Sequence, residues 1–214
     1  MVRKTKAEAA ATREALLDAA EEVFFEKGVA RTSLEQIARH AGLTRGAVYW
    51  HFKNKWDLFD AIWQHYSGPI NALGEASQAE DEADPLGKLA QLFHLVLFKM
   101  ENDEGFRRMI VMCSRESAVW GQDIPDRIKQ FQEELHQKRR RTLENAMRKG
   151  QLPADLDPDA GSLMIKVMLE GVLMSWLQRP DCFSIADRAD QIVESIMVVL
   201  KQGVRLQPVN RSPD

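Results

Sequence analysis

Cysteine is scarce in this sequence. Cys113 and Cys182 are the two present, with no close metal-ligand spacing, and they read as reduced, buried thiols of a cytosolic protein rather than a disulfide frame. A redox-sensing pair is the alternative reading. The five histidines, His40, His51, His65, His94 and His136, show no ligand spacing, so neither metal nor cofactor is expected. The N-terminus is charged and holds no apolar run, which argues against a signal peptide. No uninterrupted apolar stretch approaches the roughly 20 residues of a membrane span, so no membrane partner is expected. Strand-like alternation, internal repeats and low-complexity tracts are also missing. No nucleophile, paired acid/base groups or metal ligands share a telling spacing, which leaves an all-helical enzyme as a disfavoured alternative.

A strong charge of one sign is missing too. The net charge is −3, and residues 1–60 hold 10 Lys/Arg against 9 Asp/Glu. A nucleic-acid face must therefore be local, helped by the arm Arg3, Lys4 and Lys6. What is present is a chain of 214 residues, 44% hydrophobic and 29% charged, enough for one large domain or two modest ones.

The chain is organised around residues 33–52. Ser33 and Gln36 are spaced as a capping box. Leu34, Ile37, Ala38 and Ala41 follow on one helical face, and Gly42 takes the turn. Thr44 caps a second short helix from Arg45 to Phe52, in which Val48 and Phe52 face inward. This is the small, turn and apolar pattern of a helix-turn-helix. Arg45, Tyr49, Trp50 and His51 point outward, as an aromatic and basic face suited to duplex DNA. Arg45 opposes the helix dipole, a conflict that a phosphate or a guanine would relieve. Lys55, at the start of the next helix, is a phosphate-contact candidate.

The remaining pattern is helical throughout. One amphipathic helix precedes the motif (Ala7 to Lys27). A long one capped by Asn54 runs to Ala79, about 36 Å at 1.5 Å per residue. Further helices are expected at 85–101, 103–120, 125–149, 158–179 and 185–201, the last capped by Ser184 with Asp187.

Several motifs resemble the DNA-binding domain of TetR-family repressors. They are Thr12-Arg13, Phe24-x-x-x-Gly28, Thr32-Ser33-Leu34-x-x-Ile37-Ala38, the run from Ala41 to Phe52, and Lys53-Asn54-Lys55-x-x-Leu58. The chain is most similar to the AcrR-type regulators of multidrug efflux. The match is nearly unbroken through Trp63 and returns at Asp84-Pro85-Leu86, Leu152–Leu156 and Gly171–Leu177, with little family pattern between Met109 and Arg141. The resemblance implies an all-α fold. A helix-turn-helix DNA-binding domain with a basic arm would occupy residues 1–53, a helical ligand-binding and dimerisation domain 54–204, and a disordered tail 205–214. It adds Thr32, Ser33, Thr44, Gly46 and Ala47 to the DNA-binding surface.

The same resemblance implies a large cavity for apolar or amphipathic compounds, near which Trp63 would lie. Soft side chains at Tyr66, Ile70, Met109, Met112, Trp120, Met164 and Met168 suit an adaptable lining, although plain core packing accounts for any one of them. Ser67, Glu116 and Gln130 are candidates for its few oriented polar groups. Ser67 departs from relatives that tend to carry glutamate there, and Glu116 is the candidate to supply the anionic role instead. Leu163, Val167, Gly171, Met174 and Leu177, with Ile192, Ile196, Val199 and Leu200, form apolar surfaces for a two-fold homodimer, packed as a four-helix bundle. The expected function is cytoplasmic: a ligand-responsive repressor of an efflux operon on a palindromic operator, released by an amphipathic compound. Alternatives are a same-fold sensor of a fatty acyl thioester or terpenoid-like metabolite, and an activator.

Overall fold

The computed structural model describes residues 6–117 and 125–204. Arg3, Lys4, Trp120 and the expected disordered tail 205–214 lie outside the described residues. Those residues form α1 (Lys6–Lys27), α2 (Leu34–His40), α3 (Arg45–His51), α4 (Lys55–Gln78), α5 (Pro85–Asn102), α6 (Glu104–Ser117), α7 (Asp126–Arg148), α8 (Pro158–Gln178) and α9 (Ala189–Gln202), with a single 3-10 turn at Pro180–Cys182.

The local signals act as chemistry requires. The Ser33 hydroxyl accepts the Gln36 amide at 3.3 Å while the Gln36 side chain accepts the Ser33 amide at 2.9 Å. Thr44 caps α3 through the Ala47 amide at 3.2 Å. The Asn54 carbonyl oxygen receives the Trp56 and Asp57 amides, and Asp84 and Asp157 cap α5 and α8 ahead of a proline. The start of α9 differs from expectation. Ser184 does accept the Asp187 amide at 3.0 Å, but the turn does not propagate, and the helix begins four residues later. Glu101 holds that turn instead, accepting from the Ser184 hydroxyl and the Ala186 amide.

The chain divides into two compact units, one of residues 1–68 and 104–131, the other of 69–103 and 132–214. This differs from an expected division at 53/54, because the first part of α4 and all of α6 belong with α1–α3. In the first unit α1 packs on α2 and α6, around buried Leu16, Phe24, Ile37, Val48, Phe59, Phe106 and Met109. Phe131 takes Phe59 and Trp63 edge-on, with ring centroids 5.9 and 4.6 Å apart. Arg127 grips Asp60 with two nitrogens. In the second unit α5 packs on α9 and α8 on α9, over Phe93, Leu97, Ile165, Trp176, Ile196 and Leu200. Three of its buried polar side chains satisfy one another and the backbone: Ser77 meets Thr142 at 2.8 Å, and Asn145 donates to the carbonyls of Ser77 and Ala79.

By length and composition α8 is apolar enough to cross a membrane, and a third of its most apolar window is buried. Its run is interrupted by Lys166 and Glu170. Leu163, Val167 and Gly171 form an exposed apolar stripe along it, within the second unit.

Candidate functional sites

Of the residues assigned to DNA, the structure separates those that face outward from those spent on the fold. Thr32 is buried, and its hydroxyl donates to the Gly28 carbonyl at 2.8 Å. Ser33 is committed to the capping box. Thr44, Arg45, Gly46, Tyr49 and Trp50 are exposed, Trp50 by 72%, while Ala47 and His51 are half-buried. His51 stands edge-on to Trp50 at 4.4 Å. Lys55 turns back: its ammonium donates to the Ala30 carbonyl and lies 5.5 Å from the Trp56 ring centroid. Burial lowers its pKa, against the pull of Glu116.

One residue of this face escaped the sequence reading. Glu35, in the first turn of α2, accepts the Tyr49 hydroxyl at 2.8 Å and lies 3.3 Å from Arg45 Nε through the same carboxylate oxygen. The Tyr49 hydrogen bond is the main reason the Glu35 acid is held below its usual range, and it raises the Tyr49 phenol in return. The charge that offsets Arg45 at the start of α3 is thus already within the protein. A helix-turn-helix brings position 35 beside 45 and 49, so the topology was the available signal.

The polar ligand candidates are largely spent on the protein itself. Glu116, only 5% exposed, accepts the Val29 amide at 2.7 Å and the Ala30 amide at 3.3 Å. It ties the end of α6 to the connection between α1 and α2. Ser67 is buried and donates to the Trp63 carbonyl at 2.6 Å. Gln130 is exposed on α7. Tyr66 is half-buried and donates to Glu21 at 2.5 Å. Its ring lies so close to Gly105 that a Cβ there would sit 2.3 Å from it. Met109 and Met112 are fully buried. With half-buried Trp63, these residues lie in the first unit, whereas half-buried Ile70, Met164 and Met168 lie in the second. Cys113 is partly buried and Cys182 is exposed, which corrects the expectation of two buried thiols.

On the second unit Leu163, Val167 and Gly171 are exposed, and Met174, Leu177, Ile192 and Val199 are half-buried. Ile196 and Leu200, each 1% exposed, are core residues of that unit and not part of its surface. Their helical spacing told only that they face something apolar. An apolar groove of about 530 Å³ runs along α8, lined by Val167, Met168, Gly171, Val172, Ser175, Phe183, Arg188 and Ile192.

Residues 16–62 match the model of bacterial regulatory proteins of the tetR family, and residues 84–202 match the C-terminal region of MAATS-type transcriptional repressors. The transcriptional regulator TtgR of Pseudomonas putida is 35% identical over 99% of this chain and all of its own length. The structure of a SmeT–triclosan complex is 30% identical with a TM-score of 0.73, covering 95% of this chain and 98% of that one; SmeT is the repressor of the Stenotrophomonas maltophilia multidrug efflux pump SmeDEF. NalD, the secondary repressor of the MexAB-OprM multidrug efflux pump in Pseudomonas aeruginosa, is 30% identical with a TM-score of 0.74, covering 92% of this chain and 99% of that one. With a helix-turn-helix in its first unit and these likenesses along its full length, the chain belongs to the TetR family and is a DNA-binding transcription regulator, not an enzyme.

Proposed function

We propose that this protein is a homodimeric repressor of multidrug efflux genes that leaves a palindromic operator when an amphipathic compound binds. The observation that carries the reading is the outward face of α3, with Arg45, Tyr49 and Trp50 exposed at the tip of a capped helix. The likeness to SmeT and NalD supports the choice of target genes, and the SmeT–triclosan complex supports a small-molecule ligand.

A dimer through α8 and α9 is supported by three features of the second unit. Val167 is 55% exposed although apolar. A groove runs beside it. A Cβ on Gly171 would meet nothing within 4 Å, so the monomer gives no packing reason for glycine there, whereas close approach of a partner helix does. Two recognition helices about one duplex turn apart then read the two halves of the operator. The site of action is the cytoplasm, where the operator lies.

Induction has a physical route within the first unit. Lys55 at the start of α4 and Glu116 near the end of α6 both hold Ala30, in the connection that leads into α2. A ligand that shifts α4 or α6 moves that connection, and with it the reading helix. A differential affinity of about 1–3 kcal/mol changes operator occupancy by about 5–150-fold. The test is a footprint on the DNA upstream of the gene, with and without triclosan. Protection that triclosan abolishes is expected. Absence of protection overturns the DNA reading, and protection released by acyl thioesters but not by triclosan overturns the drug reading.

A further inference from the structure

We infer that Glu35 is a specificity-determining residue of the DNA face: a carboxylate that holds Arg45 and Tyr49 in reading position and, by its charge, lowers the affinity for duplex DNA of any sequence. The inference rests on the DNA-binding reading above and deepens it.

The geometry is a three-residue brace across the two helices of the motif. The α2 carboxylate engages Arg45 through Nε, at 3.3 Å. This leaves the two terminal nitrogens of the guanidinium as the fork that can meet guanine N7 and O6. The Tyr49 ring lies 5.3 Å from the centre of that guanidinium, and its hydroxyl is anchored on the same carboxylate oxygen at 2.8 Å. Arg45 is thus held at one edge and against one face before DNA arrives. A long, rotamer-rich side chain so restrained loses less freedom on reading a base.

The second effect is electrostatic. A DNA duplex carries a phosphate charge about every 1.7 Å of axis, and Glu35 sits on the helix that crosses the backbone in this docking mode. Its repulsion weakens every sequence alike. The gain from a preset Arg45 appears only at the right base pair. Specificity is the difference between right and wrong sites, in which the shared repulsion cancels, so it is the preset Arg45 that enlarges it, while the charge lowers the affinity for every duplex.

Selection from a randomised duplex pool by the wild-type protein defines the preferred site, and Arg45→Ala identifies the base pair that Arg45 reads. Glu35→Ala, at a position on the surface, should relax preference at that same base pair by about five-fold or more and tighten binding to a scrambled duplex. Glu35→Gln keeps an acceptor for Tyr49 and Arg45. It should retain most of the base preference while still tightening scrambled binding. Adding Glu35→Ala to Arg45→Ala should change nothing further at that base pair. Unchanged preference at that position in Glu35→Ala overturns the inference, as does an even loss across the whole site. A wild-type protein that enriches no sequence removes the DNA-binding reading itself, and this inference with it.

Discussion

Several buried polar side chains in this protein are occupied by its own backbone, and Glu116 is the clearest case. One carboxylate serves the Val29 and Ala30 amides. A buried donor left without a partner costs about 1–3 kcal/mol, so Glu116→Ala should lower the free energy of unfolding by at least about 2 kcal/mol, read as a shift of the urea midpoint. No shift would remove the carboxylate from the hinge. Cys113 offers a second check at this scale. Burial, with the Glu116 charge next in weight, pushes its thiol up to about 12, so at neutral pH almost no thiolate exists to attack. In a Cys182→Ser protein, a thiol reagent should label Cys113 far more slowly in the native state than in denaturant. Rapid native labelling would contradict the packing around α6.

At the scale of elements, most helix starts follow their caps, α9 being an exception, and positive backbone angles fall in the connections. Gly28 ends α1 with φ of 82°, and a Cβ there would lie 2.8 Å from the Glu116 carboxylate. Gly28→Ala therefore meets a backbone penalty and displaces the carboxylate that holds the next two amides. A loss of about 1–3 kcal/mol is expected, in thermal or urea unfolding, together with weaker operator binding because Ala30 leads directly into α2. Full retention of both would show that the connection adapts. Pro69 lies inside α4 at the junction of the two units and removes one helical hydrogen bond. Gly42, with φ of 66°, makes the turn between α2 and α3.

At the scale of the whole molecule, the exposed apolar face of α8 is the feature that most needs a partner. Val167 is open to solvent in the isolated chain, so Val167→Glu should leave the subunit folded. In the proposed dimer it would place two carboxylates in an apolar interface, where unpaired charge is strongly disfavoured. The expected outcome in sedimentation is conversion of dimer to monomer with an unchanged circular dichroism melt at low concentration, and with operator affinity greatly reduced. A variant that still sediments as a dimer would place the interface elsewhere.

Sequence alone determined the helical class, the capped ends of most helices and the helix-turn-helix, because each depends on residues within one or two turns of each other. The capping box of Ser33 with Gln36 and the Asp-Pro starts of α5 and α8 are of this kind. The family was legible for the same reason, since its motifs are short and local. Tertiary structure alone decided what the polar residues do. Glu116 and Val29 are 87 positions apart, and Glu35 meets Arg45 and Tyr49 only across the folded turn. It also decided which apolar residues face inward: Val167 and Ile196 look alike in a periodic pattern, yet one is exposed and the other is core. Helical spacing states that a face is apolar; what covers that face depends on long-range packing, which spacing does not encode.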